Sequence, residues 1–239
     1  ETDGIPAHTI PGVLTVPDEG AYAAVVMLHG TGSNKDEAGN GYATAAPLMA
    51  LQGLATLRID FMGNGDSTAS YRDYNYTSAV IDAKAAADYL AGLETVDGGN
   101  LGVMGWSQGG TDALLAAEAH PDTFKAVVTW AGALDLTGDA LFAGTTFEDA
   151  QAQAEETGSY TMTFDWRDSL DLGARWFQEV AETNILKVTA DIKAPILAIN
   201  GKDDTTVTPD NAEKIVKAAA NADSQLLLVD NCDHTYNVF

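Results

Sequence analysis

Seven short apolar runs, rich in β-branched residues, recur along this chain: 13–16, 24–28, 54–59, 101–105, 126–130, 195–200 and 226–229. Alanine-rich stretches with helical spacing separate most of them, at 42–52, 77–93, 111–119 and 209–221. In 77–93 the residues Val80, Ala83, Ala87, Leu90 and Leu93 mark one helical face. The stretch 209–221 opens with Thr208 as an expected N-cap and Pro209 at the first helical position. Strands alternating with helices in this way demand an α/β fold, a mostly parallel central sheet with helices on both faces. The 239 residues suit one large domain or one domain with an insertion.

One interval breaks the rhythm. More than sixty residues separate Trp130 from Pro195, far more than one crossover helix needs. That interval holds Phe142, Phe147, Tyr160, Phe164, Trp166, Trp176 and Phe177, about a third of the chain's aromatic residues. Within it, 160–164 alternates like a short strand and 173–182 reads as a helix. Residues 1–134 and 191–239 are therefore expected to form the core, with 135–190 an inserted cap over the site. The aromatic residues would shape an apolar pocket there.

The fourth run ends in Gly105-Trp106-Ser107-Gln108-Gly109, and a helix-forming segment follows at once. Gly-x-Ser-x-Gly between strand and helix is the setting in which a tight, strained turn exposes a serine hydroxyl. Flanking glycines are needed because side chains there would collide with neighbouring elements. A nucleophilic serine needs a base, and the base an orienting acid. Of the four histidines, His8 lies in the N-terminal approach, His29 in a turn after a strand, and His120 at a helix end. His234 follows the last apolar run, at the carboxyl edge where open α/β sheets place their chemistry. The acid is expected after the 195–200 run, where Asp203 and Asp204 compete. Asp204 is the choice, three residues past Gly201 and three before the apolar Val207, with Asp203 a turn carboxylate. The order serine, aspartate, histidine fits this arrangement. Backbone N–H groups of Gln108 and of Thr31, in the loop His29-Gly30-Thr31-Gly32, are the expected oxyanion donors.

Together, HGTGSNKDE, RIDFMGNGDS, GWSQGG, GKDDTTVTP and CDHTY resemble the α/β-hydrolase superfamily. More closely they resemble bacterial cinnamoyl/feruloyl esterases related to dienelactone hydrolases, from about Gly12 to Tyr236. The resemblance implies a serine esterase acting through an acyl-enzyme on small or aromatic-acyl esters, with no metal and no organic cofactor. It also implies that Asp139 binds a phenolic hydroxyl and that Trp176 forms an aromatic wall where relatives can present a tyrosine. An indole there donates a hydrogen bond but does not accept one. Relatives continue past the histidine into a helix that packs on the sheet, whereas this sequence stops at Phe239, so that helix is either cut off or absent.

Charge narrows the partners. With 35 acidic against 12 basic residues the formal net charge is −23, which repels phosphate backbones and anionic membranes. The expected partner is a small-molecule ester, with no nucleic acid and no membrane, and a homodimer stays open. No apolar run approaches a membrane span of about 20 residues. The single cysteine, Cys232, excludes an internal disulfide and leaves the compartment open, a cytoplasmic location being favoured over a processed, secreted form. Two other readings compete: a serine peptidase resembling the prolyl-oligopeptidase group, and a non-catalytic binder on a hydrolase scaffold.

Overall fold

The computed structural model describes the chain except residues 1–3, 19, 139, 140, 143, 166 and 239. Nine strands and seven α-helices are assigned among the described residues. The first half runs β1 (Gly12–Thr15), β2 (Tyr22–Leu28), α1 (Gly41–Ala50), β3 (Ala55–Ile59), α2 (Tyr76–Ala91), β4 (Val96–Trp106), α3 (Gln108–Ala119) and β5 (Phe124–Trp130). Then come α4 (Phe147–Thr157), β6 (Ser159–Met162), β7 (Leu170–Gly173), α5 (Ala174–Glu182) and α6 (Ile185–Asp191). The chain returns to the main sheet with β8 (Ile196–Gly201), α7 (Asp210–Ala218) and β9 (Gln225–Val229). No helix among the described residues is long and apolar enough to cross a membrane.

The main sheet has the order β1-β3-β2-β4-β5-β8-β9. Only β1 is antiparallel to its neighbour. From β2 the chain goes first to β3 on one side and later to β4 on the other, so the loops after β2 and β4 diverge at adjacent strand ends. That reversal opens a crevice at the carboxyl edge, the place where sheets of this kind hold ligands. All seven expected strands and four expected helices occur, with ends moved by a few residues. At α7 the start differs in detail. Pro209 occupies the cap position, and the Thr208 hydroxyl donates to the Asp210 carboxylate instead of accepting from a helix N–H.

The two faces of the sheet are covered unequally. Buried alanines and leucines of α2 and α3, with Ile185 of α6 and Ala212 and Ile215 of α7, join Val26, Val103 and Val127 in one large core. The other face carries Met27, Met104 and Tyr42, the last from α1, with Val25, Val128, Trp106 and Trp130 packed beside them. Register-paired residues share a face, so Trp106, Trp130, Ile199 and Leu227 form one row across it, and Leu227 at the edge is 48% exposed. The expected symmetry of two helical layers is thus reduced here. Among the described residues α1 is the helix that contributes to this second cluster.

The insertion between β5 and β8 is built from α4, the β6–β7 hairpin and α5 around Phe142, Phe147, Trp176 and Phe177. α4, β7 and α6 had no expectation in the sequence. α4 is alanine- and glutamate-rich, with a Thr146 cap and a left-handed Gly158 at its end. α6 packs against α3 and α7, so the expected boundary at residue 190 falls inside a helix that belongs to the core layer.

Candidate active site

Local sterics explain the turn at Ser107. A Cβ on Gly105 would strike the Gly109 carbonyl, one on Gly109 the Leu28 carbonyl, and one on Gly110 the Gly132 backbone. Closing the turn puts Ser107 at φ 55° and ψ −122°, a strained region for a residue with a side chain. Its backbone is pinned on both sides. Ser107 N–H donates to Trp130 O at 3.0 Å, and Ser107 O accepts from Gly110 and Ala133 at 2.9 and 3.2 Å.

The structure brings Ser107, His234 and Asp204 together. The Ser107 hydroxyl lies 3.2 Å from His234 Nε2, and His234 Nδ1 lies 2.8 Å from Asp204 Oδ2. Of the two neighbouring carboxylates, Asp204 is turned inward and 2% exposed, while Asp203 is exposed. Asp204 Oδ1 accepts from Thr206 N–H at 2.9 Å and Val207 N–H at 2.8 Å. The Asn200 amide donates to Asp204 Oδ2 at 3.3 Å and to Val207 O at 2.9 Å. The histidine loop is held in turn by Trp106, whose indole N–H donates to His234 O at 3.1 Å and whose ring lies against the imidazole. Asn200 and Trp106 were not singled out in the sequence. A short-range pattern does not show which polar residue at a strand end turns inward.

Thr31 and Gln108 meet side chain to side chain: the Thr31 hydroxyl donates to Gln108 Oε1 at 2.6 Å. Gln108 is the first residue of α3, so its N–H lies at the helix end that lacks intrahelical acceptors. The loop bearing Thr31 is clamped by Glu37, which accepts from Gly30 N–H and from the Ser33 hydroxyl, both at 2.7 Å. Glu37 has φ 63°, so the clamp is held at a strained backbone. His29 is structural, as its position implied. Its Nε2 accepts from Phe61 N–H at 3.1 Å, and burial pushes its pKa down to about 4. The insertion reaches this loop through Arg167, whose Nη1 donates to Gly32 O and to Asn64 Oδ1. An open cleft of about 520 Å³ adjoins the loop, lined by Gly32, Ser33, Asn34, Gly65, Arg167 and Asp168.

The two residues expected to bind substrate fare differently. Asp139 lies outside the described residues, as does Trp166. Trp176, expected at a pocket wall, is 1% exposed and packs against Phe142, Phe147 and Phe177. It is part of the insertion's aromatic core because rings surround it, and its indole N–H is buried without a partner among the described residues.

Burial makes two acids near the site unusual. Glu37 is pushed up to about 7 and Asp112 to about 8, in both cases chiefly by desolvation. An acid whose folded pKa is raised keeps a proton that the unfolded chain has released, so stability falls as pH rises towards the folded pKa. His29 acts in the opposite sense, but only below its ordinary 6.5. Between pH 6.5 and pH 8 the acids act alone. Unfolding free energy is expected to drop there by roughly 2 kcal/mol. Denaturant melts across that window, in high salt to screen the surface charge, check this. A flat or rising stability would contradict it.

A family model described as the prolyl oligopeptidase family matches residues 40–235. The 2,6-dihydropseudooxynicotine hydrolase of Paenarthrobacter nicotinovorans is 35% identical over 139 residues, covering 56% of this chain and 34% of that protein. The human serine hydrolase BPHL is 26% identical over 170 residues, covering 66% and 56%. The chain thus spans about a third of the length of the first relative and a little over half of the second. Among solved structures, Est1E from Butyrivibrio proteoclasticus with ferulic acid bound superposes with a TM-score of 0.80 at 20% identity, over 99% of this chain and 90% of that one. Dienelactone hydrolase from Anabaena variabilis gives 0.63 at 21% identity, over 95% and 83%. At such identities the likeness concerns the fold.

Proposed function

The chain belongs to the prolyl oligopeptidase family, and from that premise we propose that it is a serine carboxylic-ester hydrolase of small or aromatic-acyl esters. The observation that carries this reading is the contact series from Ser107 through His234 to Asp204, at 3.2 and 2.8 Å. With Nδ1–H donated to Asp204, Nε2 is left as an acceptor facing the serine hydroxyl. Ser107 Oγ attacks the ester carbonyl carbon while His234 Nε2 takes its proton. The negative charge that develops on the carbonyl oxygen is held by the backbone N–H groups of Thr31 and Gln108. Collapse expels the alcohol, protonated by His234, and leaves an ester to Ser107. Water, deprotonated by His234, then releases the acid and restores the serine.

In this reading the part of the insertion before α6 acts as the cap over the site. Support for an ester over a peptide comes from a relative named as a hydrolase of a small molecule and from a solved neighbour with ferulic acid bound. The family's own description favours the second reading, a serine peptidase.

A fluorophosphonate probe followed by peptide mass spectrometry, and a panel of substrates, separate the readings. The probe is expected on Ser107. p-Nitrophenyl esters or methyl ferulate should be turned over with kcat/KM at least about a hundredfold above aminoacyl and prolyl p-nitroanilides. Faster anilide cleavage would move the chain to the peptidases, and an unlabelled Ser107 would make it a binder.

A further inference from the structure

The residue that follows Ser107 does more than present its N–H. Thr31 donates to Gln108 Oε1 at 2.6 Å, Gln108 Nε2 donates to the Tyr74 hydroxyl at 3.0 Å, and Tyr74 donates to Asp112 Oδ2 at 2.8 Å. Every bond points the same way, from the loop after β2, through the start of α3, to a carboxyl one turn further along α3. Gln108 and Asp112 lie at i and i+4 on one helical face, which lets a single tyrosine bridge them. Gln108 and Asp112 are 0% exposed and Tyr74 3%, so no water competes for these groups.

The geometry points to Tyr74 and Asp112 as positioning residues of the oxyanion hole: Tyr74, held by Asp112, accepts from Gln108, and through Gln108 this string reaches Thr31 and sets the spacing of the two backbone N–H groups. This rests on the ester-hydrolase reading above. The Gln108 oxygen faces the Thr31 hydroxyl and its amide faces Tyr74, so one side chain spans both partners. Thr31 sits in the loop after β2 and Gln108 at the start of α3, and the bond between them joins the two directly. An amide freed at the tyrosine end would no longer fix the Gln108 oxygen towards the Thr31 hydroxyl.

Asp112 also gives the string a signature that a merely structural bond would lack. The groups facing it are Tyr71 and Tyr74 from the segment before α2, and Tyr76 and Asp82 of α2, Asp82 itself lying 3.0 Å from His8 of the N-terminal segment. Burial and Asp82 both favour the protonated form, to about pH 8. Above that, a negative charge forms one helical turn from the N–H meant to hold an oxyanion, and the two repel. The free enzyme's kcat/KM should therefore fall on an alkaline limb, whereas a serine–histidine site alone levels off.

Tyr74→Phe and Asp112→Asn, assayed with p-nitrophenyl acetate from pH 6 to 9.5 alongside thermal melts, test this. Tyr74→Phe is expected to lower kcat between about tenfold and a hundredfold with KM within about twofold. Asp112→Asn keeps a carbonyl acceptor for Tyr74 and cannot ionise. It should retain more kcat than Tyr74→Phe and lose the alkaline limb. A Tyr74→Phe protein with parental kcat, or an alkaline limb that persists in Asp112→Asn, overturns the proposal while leaving the esterase reading intact. If the parent neither reacts with fluorophosphonate nor turns over any ester, both fall together.

Discussion

Replacing Ser107 with alanine is expected to reduce turnover of p-nitrophenyl acetate by about a million-fold, with the fold unharmed. Alanine keeps the Cβ, so the strain at φ 55° stays as it is. What disappears is the hydroxyl and its 3.2 Å bond to His234, a loss of about 1 kcal/mol at most. A glycine at the same position makes the contrast sharper. It loses the nucleophile equally but relieves the backbone, so Ser107→Gly should melt above Ser107→Ala, by about 0.5–1 kcal/mol in stability. Residual activity of either variant above solution hydrolysis measures what the oxyanion donors and binding contribute unaided. Steady-state rates, normalised to sites titrated by the fluorophosphonate probe in the parent, are the measurement. Turnover within tenfold of the parent would remove Ser107 from the chemistry.

Asp204→Asn follows in size, with an expected loss of about ten-thousand-fold in kcat. The reason lies in what surrounds the carboxylate. Oδ1 faces the N–H groups of Thr206 and Val207, and Oδ2 faces His234 Nδ1 and the Asn200 amide. Both oxygens are met only by donors in these contacts, so an amide NH₂ has no suitable side to occupy. If it turns towards the loop it opposes two backbone N–H groups, and the protein loses stability as well. If it turns towards His234 it drives the imidazole to the tautomer with the proton on Nε2, where it can no longer accept from Ser107. The rate should recover partly at high pH only if another group takes over the histidine. A kcat within a hundredfold of the parent would place the acid elsewhere, Asp203 being the next residue to replace.

The strands of the main sheet were legible because parallel strands buried on both sides read as continuous apolar runs. The serine, histidine and acid were legible because turn chemistry confines them to strand ends in a fixed chain order. Asp204 could be separated from Asp203 because backbone alternation and Val207 decide which carboxyl turns inward. α4 and β7 escaped notice for opposite reasons. α4 is polar, with Phe147, Ala150 and Ala154 its buried residues, and β7 has four residues. Trp176 shows the limit of reading a residue type without its neighbours: an aromatic wall and an aromatic core look alike in sequence. Tyr74 and Asp112 were invisible because the bonds from Gln108 to Tyr74 and from Tyr74 to Asp112 bridge the segment before α2 and the inside of α3. Nothing local distinguishes a buried aspartate on a helix from an exposed one.

Arg167 joins two things usually treated as separable. It belongs to the insertion, yet it donates to the carbonyl of Gly32, next to Thr31, and to Asn64 in the loop after β3. Phe164 and Leu170 press on the same glycine. Grafting the corresponding segment from a relative would therefore exchange more than a preference for one acyl group over another. It would also disconnect a guy-rope from the loop proposed to meet the reacting oxygen. In the proposed reading selectivity and rate are linked through Arg167, and an engineer or an evolving lineage that alters one should see the other move.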